Sequence, residues 1–160
     1  MEGQIEFILG GEDNLEDIIN LTNECFNENT TLGHATEVYF RNRLDTNPDA
    51  YVCGYLPDES GNHTLAAFAR LAFIDTPFDG METYCILNHV CVKPEFRRHH
   101  LGTQLLEECE RIAAMRNCRD LKLWSKNFRV PAHALYQKYG FKIIDAKFFE
   151  KPIERGQNEN

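Results

Sequence analysis

The sequence lacks any long hydrophobic run, and no apolar stretch approaches the roughly 20 residues that a membrane helix needs. Its first residues, MEGQIEFILGGED, have neither the basic flank nor the apolar run of a signal peptide. None of the six cysteines forms a CxxC pair, and their spacings fit no zinc site. We therefore expect a cytoplasmic protein without a membrane partner, with buried, reduced thiols and no metal.

Basic residues are scarce in the first 90 positions, which contain 3 Lys and Arg against 16 Asp and Glu. The remaining 70 positions contain 14 Lys and Arg against 9 Asp and Glu, so the formal net charge of −8 divides into an acidic and a basic half. No basic stripe interleaved with aromatic residues is present, which argues against a nucleic-acid partner. The basic half suits an anionic ligand, and the acidic half suits a neutral or cationic one.

The chain does have enough apolar residues for a core: 42% of its 160 residues are hydrophobic, which suits one compact domain. We assign this domain to residues 1–153 and expect a disordered tail at 154–160. Hydrophobic periodicity predicts an α/β chain in which an antiparallel meander precedes a crossover unit. The predicted helices cover 13–28, 35–46, 101–117 and 131–139, and the predicted strands cover 4–9, 50–56, 64–74, 81–92, 120–125, 141–144 and 146–151.

The stretch VKPEFRRHHLG (92–102) concentrates positive charge directly before a predicted helix. The first turn of a helix has free N–H groups and the positive end of the helix dipole, which together favour anions. Arg97 and Arg98 would add charge-assisted hydrogen bonds to a diphosphate, and Gly102 would let a ligand approach the backbone closely. The stretch is not a P-loop, because it lacks GxxxxGK[ST].

A second motif, AHALYQKYGF (132–141), places Tyr136 near the end of a short helix that stops at Gly140. Together with VKPEFRRHHLGTQLL (92–106), it resembles the GNAT acyltransferases, a superfamily of N-acetyltransferases. The order of predicted elements agrees with that family. The resemblance implies a single-domain α/β fold whose mixed, mostly antiparallel sheet is flanked by helices. Acetyl-CoA, the acyl donor, would bind where the parallel strands 81–92 and 120–125 splay apart.

The resemblance also implies roles for individual residues. Tyr136 matches the general acid that protonates the departing thiolate, and the backbone of 90–92 matches the strand that binds the pantetheine arm. Asn127 lies near the position of an asparagine that contacts this arm in many members, although Arg129 occupies the matching position itself. The implied donor-binding residues are Val90, Cys91, Val92, Arg97, Arg98, His99, His100, Leu101, Gly102, Thr103 and Asn127.

Two positions depart from the family pattern. His100 stands where the first loop glycine is usual, so it must accept that backbone geometry or shift the loop. Asn88 stands where many members have a glutamate base, and an amide cannot titrate. Its neighbour His89 is a candidate base, because histidine ordinarily changes charge between pH 5 and 8. Strand alternation predicts that only one of the two side chains faces the cleft, unless a bulge intervenes.

The sequence therefore does not decide which group acts as the general base. If Asn88 faces the cleft, a water chain or another residue would serve, with Glu82, Tyr84 and His133 as candidates. His133 lies one helical turn before Tyr136 and is also a candidate for orienting the tyrosine or the substrate.

The predicted activity is transfer of an acetyl group to a primary amine of a small, cationic acceptor, by direct attack in a ternary complex. Two alternatives remain: a protein or peptide N-acetyltransferase, and a catalytically inert acyl-CoA sensor, which the neutral Asn88 favours. A homodimer is an expectation from the family only. Acidic residues of the N-terminal helices, the 27–34 loop and the 75–80 turn would attract the acceptor, namely Glu24, Glu28, Glu37, Asp75 and Asp79.

Overall fold

A computed structural model describes residues 3–46, 49–76 and 82–156 of the chain. Its helices are α1 (Leu15–Phe26), α2 (His34–Thr46), α3 (Leu101–Met115) and α4 (Val130–Tyr139). Its strands are β1 (Glu6–Leu9), β2 (Ala50–Pro57), β3 (His63–Asp75), β4 (Thr83–Val92) and β5 (Cys118–Lys122). Two 3-10 turns, Glu12–Asn14 and Pro94–Phe96, precede α1 and α3.

The five strands form one sheet in the order β1-β2-β3-β4-β5. The first four strands are antiparallel neighbours, whereas β4 and β5 run parallel because α3 crosses over between them. This confirms the mixed α/β fold predicted from the sequence, with strand and helix bounds within a few residues of those expected.

Helices cover both faces of the sheet. On one face α3 buries Leu105, Leu106 and Cys109 completely, at the helical spacing that predicted its apolar side. On the other face α1 packs Ile18 and Ile19 beside the ring of Phe68 from β3. None of the described helices is long and apolar enough to cross a membrane. The described residues also include no group of three or more His, Cys, Asp or Glu that suits a metal ion.

The two predicted closing strands, 141–144 and 146–151, are wrong: neither segment forms a strand in the structure. Phe141 still packs against the core beside the rings of Tyr136 and Tyr139, but the residues after it are exposed. Their apolar residues resemble a strand in the sequence, yet no neighbouring strand of the described chain pairs with them.

Some predictions fall outside the described residues. Asp79, most of the predicted 75–80 turn and the first residue of the predicted strand 81–92 lie there. In the predicted tail, residues 154–156 are exposed without regular structure, and the remainder is not described. The division into a 1–153 domain and a 154–160 tail stays a prediction.

Candidate functional site

The parallel strands β4 and β5 part before β4 ends. Their last paired residues are Ile86 and Lys122, while β4 continues to Val92. The β4 backbone from Leu87 onward thus has an edge that no strand of the described chain covers. Free N–H and C=O groups on such an edge need partners and suit an extended, amide-containing ligand.

A bulge interrupts β4 at this edge. Cys91 lies opposite Phe68 and Asn88 lies opposite Arg70, so His89 and Val90 together face the single residue Ala69. His89 adopts a left-handed φ of 51°, which is uncommon for a residue other than glycine. The bulge thus interrupts the regular pairing of β4 with β3 next to the place where β5 diverges from β4.

The bulge also changes which way the side chains point. Asn88 lies opposite Arg70 of β3, and Arg70 lies opposite Tyr51 of β2. Side chains of directly opposite residues share one face of a sheet. Tyr51 packs in the cluster formed with α1, so Asn88 is on the face that α1 and α2 cover. His89 turns toward the same face, because its ring meets Phe26 edge-on at a centroid distance of 5.3 Å. The bulge therefore breaks the alternation of side chains along β4, and Asn88 and His89 point to the same face of the sheet.

His89 meets the end of α1. The helix stops at Asn27, whose left-handed φ of 53° turns the chain so that Glu28 reaches the bulge. The Nε2 atom of His89 lies 3.4 Å from Oε1 of Glu28, and each side chain is 38% exposed. The guanidinium of Arg129, just before α4, lies 4.8 Å over the ring of Phe26. The end of α1, the bulge of β4 and the residue before α4 thus meet beside the cleft.

Tyr136 lies on α4 and packs against the core from the opposite side of the sheet to α1. Burial raises the pKa of its hydroxyl; nearby Arg129 opposes this shift and the Cys91 thiol adds to it. The hydroxyl keeps its proton at neutral pH, and no hydrogen bond from a described residue contributes to its pKa. It can therefore act as a proton donor to a ligand.

The loop before α3 has two left-handed residues, Arg98 with φ 68° and His100 with φ 61°. His100 thus accepts the backbone geometry that a glycine usually provides. The first helical hydrogen bond runs from Gln104 N–H to His100 O at 3.2 Å. In the described part of the chain, no acceptor meets the N–H groups of residues 101–103. With exposed Arg97 and Arg98 beside them, these groups form a site suited to phosphate.

Arg97 also holds the loop in place, because its Nε donates to the carbonyl oxygen of Val92 at 3.1 Å.

The surroundings of Gly102 differ from those expected from the sequence. A Cβ added to it would lie 2.8 Å from Cδ2 of Leu135, so this glycine permits close contact between α3 and α4. The expectation that Gly102 lets a ligand approach the backbone closely stays a prediction.

A cysteine pair beside the cleft was missed by the sequence reasoning. The Cys25 thiol of α1 donates to Val92 O at 3.5 Å. A hydrogen bond from the Cys91 thiol outweighs burial and, with the charge of Arg97, lowers the pKa of Cys25 to about 7. No sequence signal could reveal this pair, because its members are far apart in the chain and follow no motif.

The other candidate bases lie elsewhere. Glu82 forms an ion pair with Arg119, and the ammonium of Lys122 lies 4.4 Å over the ring of Tyr84. Both positions precede the bulge by five residues or more, which is over 15 Å at about 3.3 Å per strand residue. His133 is half-buried on α4, one turn before Tyr136. Asn127 is exposed in the turn before α4, and Thr103 is half-buried in the first turn of α3.

The acidic residues that were expected to attract the acceptor lie in different parts of the structure. Glu24 pairs with Lys93 at 2.8 Å, and Asp75 accepts a hydrogen bond from Thr83 at the far end of β3. Glu37 lies between α1 and α2 in a shallow surface pocket. Of the members of this set that the structure describes, Glu28 is the one in contact with His89 of the bulge.

Comparison with known proteins agrees with this architecture. A model described as the acetyltransferase (GNAT) family matches residues 15–141. No curated protein sequence matches the chain. An acetyltransferase from Trypanosoma brucei has a TM-score of 0.76 at 17% identity, covering 93% of this chain and 100% of that one.

Two further solved structures are similar. An aminoglycoside antibiotic 6'-N-acetyltransferase from Acinetobacter baumannii has a TM-score of 0.70 at 18% identity, covering 94% of this chain and 100% of its own. A glucosamine-6-phosphate N-acetyltransferase from Arabidopsis thaliana has a TM-score of 0.71 at 15% identity, with coverage of 92% and 98%. Identities this low show a shared fold, and the family model covers most of the sequence. The chain therefore belongs to the acetyltransferase (GNAT) family.

Proposed function

We propose that the protein transfers an acetyl group from acetyl-CoA to a primary amine of a small, cationic acceptor, by direct attack in a ternary complex. The observation that supports this most is the contact between Glu28 and His89 at the β4 bulge. It brings a carboxylate and an imidazole together beside the edge where the donor would bind. Chemically, the pair suits an acceptor that arrives as an ammonium ion and must lose a proton.

The donor would be held by two groups of residues. The N–H groups at the start of α3 and the side chains of Arg97 and Arg98 suit the pyrophosphate. The uncovered edge of residues 90–92 suits the amides of the pantetheine arm, although Val92 O already accepts bonds from Arg97 and Cys25. His99, His100 and Asn127 are exposed near these groups and would make secondary contacts.

The reaction needs three proton or charge steps from this chain. Glu28 attracts the ammonium, and His89 takes a proton from it so that the nitrogen lone pair can attack the thioester carbonyl. A backbone N–H of the bulge, at Val90, donates to the oxyanion that forms. When the C–S bond breaks, Tyr136 donates its proton to the thiolate and regains one from the nitrogen that has attacked, so the products are a neutral amide and free CoA.

A cationic acceptor is supported by charge. The His89 side of the cleft belongs to the half of the sequence with 16 acidic and 3 basic residues. Similar folds include enzymes whose names specify aminoglycosides and glucosamine-6-phosphate, both of which carry amines. The six free cysteines suit a reducing compartment, so we also propose action in the cytoplasm.

One experiment separates the candidate functions. Acetyl-CoA is incubated with a polyamine, an aminoglycoside, a lysine-like amine, a neutral primary amine and a short peptide, and released thiol is measured. Turnover with cationic amines in preference to the neutral amine is expected. Peptide-only turnover would indicate a peptide acetyltransferase. Tight CoA binding without turnover on any amine would indicate the sensor, which the neutral Asn88 favours.

A matched pair of variants tests the acceptor side. Glu28→Gln should raise KM for the cationic amine and leave KM for acetyl-CoA unchanged, because the acceptor, and not the donor, would meet this carboxylate. Glu37→Gln removes the same charge from α2, away from the bulge, and should change neither constant. Equal effects of both variants would mean that overall charge, rather than this contact, selects the acceptor.

A further inference from the structure

Two cysteine side chains meet beside the cleft, although they are far apart in the sequence. Cys25 is in the last turn of α1, and Cys91 is near the end of β4, where it is 7% exposed. Cys91 belongs to the apolar cluster between α1 and the sheet, and Cys25 packs against that cluster. The Sγ atom of Cys25 lies 3.5 Å from the carbonyl oxygen of Val92, the residue directly after Cys91. A hydrogen bond from the Cys91 thiol to the Cys25 sulfur joins the two side chains directly.

Cys25 is the member of the pair that solvent reaches. It is half-buried, whereas Cys91 is buried. The hydrogen bond from Cys91 and the nearby charge of Arg97 lower the pKa of the Cys25 thiol to about 7. Burial and the charge of Glu24 oppose this shift without cancelling it. A large share of Cys25 is therefore thiolate at neutral pH, and a thiolate beside a cation is the reactive form of cysteine.

A reactive, partly exposed thiol beside a second thiol is the arrangement found in cysteines that respond to oxidants. We propose that Cys25 and Cys91 form a dithiol site that a hydroperoxide oxidises to a disulfide bond. Cys25 reacts with the peroxide, and Cys91 closes the disulfide. This site adds a second chemistry to the chain, because neither sulfur takes part in the proposed acetyl transfer.

Hydrogen peroxide alone balances the reaction. The Cys25 thiolate attacks one peroxide oxygen and the O–O bond breaks, which leaves a sulfenic acid and a hydroxide that becomes water on protonation. The sulfur of Cys91 then attacks the sulfur of Cys25, and the S–O bond breaks. The Cys91 proton leaves with the hydroxyl group as a second water. The two thiols have lost two electrons and two protons, and the peroxide has gained both.

The first step also prepares Cys91 for the second. In the reduced pair, the hydrogen bond to Cys25, burial and the charge of the Cys25 thiolate raise the pKa of Cys91 far above its ordinary value. Conversion of the thiolate to an uncharged sulfenic acid removes that charge and weakens the acceptor that held the Cys91 proton. Cys91 thus becomes able to give up its proton once the neighbouring sulfur is electrophilic. Its burial keeps it from meeting peroxide first.

A disulfide at this place would join the end of α1 to β4. The Cys25 thiol would lose the hydrogen that it donates to Val92 O, and the two sulfur atoms would move closer than in a hydrogen bond. Glu28 is three residues after Cys25. His89 is two residues before Cys91, so the movement would displace both members of the contact between Glu28 and His89. Oxidation should therefore lower acetyl transfer, an effect that rests on the proposed function.

The test treats the reduced full chain with hydrogen peroxide at neutral pH and maps disulfides by mass spectrometry of peptides prepared without reductant. A Cys25–Cys91 disulfide that dithiothreitol reverses is expected. Cys91→Ser should stop at a Cys25 sulfenic acid, which dimedone labels, and Cys25→Ser should leave Cys91 reduced. Cys85 and Cys118 are the matched pair within the same chain. Cys118 is also half-buried, but burial raises the pKa of both thiols, so both should stay reduced.

Activity is measured in the same samples as acetylated cationic amine. Turnover by wild type should fall about tenfold or more on oxidation and return after reduction, since small displacements of catalytic groups have effects of this size. Turnover by Cys25→Ser should be the same before and after peroxide. This control separates the disulfide from other oxidative damage.

The outcomes for the two proposals are distinct. Absence of the Cys25–Cys91 disulfide, or equally ready oxidation of Cys85 and Cys118, overturns the dithiol site whether or not the chain acetylates amines. A disulfide that leaves turnover unchanged overturns its effect on transfer. A lack of turnover before oxidation counts against the proposed function instead, and the peptide map then still decides the dithiol site.

Discussion

The Nε2 atom of His89 lies 3.4 Å from Oε1 of Glu28, although the two residues belong to β4 and to the turn after α1. Two left-handed residues make this contact possible: Asn27 ends α1, and His89 itself forms the β4 bulge. The pair lies where β4 has lost its parallel neighbour, so its position next to the donor edge follows from backbone geometry. The contact between His89 and Glu28 therefore supports a role for His89 in proton transfer.

Replacing His89 with Gln should lower kcat by about 10²-fold or more, because a positioned general base contributes on that scale. The pH–rate profile should also change shape, since glutamine cannot take up a proton. His63→Gln is the control, because that histidine is exposed at the start of β3. A variant profile identical to that of wild type would assign the proton transfer to water or to another group.

Tyr136→Phe should lower kcat by about 10²-fold with little change in KM for acetyl-CoA, if the hydroxyl protonates the thiolate. Tyr139→Phe is the matched control on the same helix, since its hydroxyl donates to Glu110 on α3. Burial raises the pKa of Tyr136 above its ordinary value near 10, so its proton is lost only at higher pH. Activity should therefore show no loss from this group up to about pH 10. Full activity of the phenylalanine variant would assign Tyr136 to packing.

The double variant Arg97→Ala/Arg98→Ala should raise KM for acetyl-CoA about tenfold or more, which corresponds to losing a charge-assisted hydrogen bond of about 1.5–3 kcal/mol. The effect on kcat should be smaller, because these side chains would contact phosphate and not the reacting carbon. Arg111→Ala is the control, since Arg111 pairs with Glu108 further along α3. Added salt should raise KM more in wild type than in the variant. An unchanged KM would remove the phosphate role.

Much of this architecture was predictable because it depends on local patterns. The apolar spacing of α3 predicted the crossover that the structure shows, and the basic loop before it is the basis for the proposed anion site. The bulge at His89 was not predictable, because it depends on register with β3 and leaves no local composition signal. The predicted strands 141–144 and 146–151 were wrong for the opposite reason: their residues favour strands, but a strand also needs a paired neighbour, and none of the described strands pairs with them.

Gly102 has a packing contact that its sequence motif did not indicate. Gly102→Ala should not give the roughly 0.5–1 kcal/mol that the better helix propensity of alanine otherwise provides, because its methyl group would displace the half-buried side chain of Leu135. The measurement is the free energy of unfolding in urea. The same substitution should cost less in a Leu135→Ala background, where the clashing methyl group is absent. Equal costs in both backgrounds would mean that α3 and α4 do not couple through this contact.

Cys25 should be the first cysteine to react with iodoacetamide, because its pKa is lowered to about 7 and the thiolate is the nucleophile. Its reaction rate should rise as pH increases through about 7, where the thiol loses its proton. Cys118 is the matched control: it is also half-buried, but burial raises its pKa. Cys53, Cys85 and Cys109 are buried with pKa values raised to about 12, so they should react last. Mass spectrometry of peptides after brief labelling at pH 8 gives the order, and equal labelling of Cys25 and Cys118 would contradict the proposed hydrogen bond from Cys91.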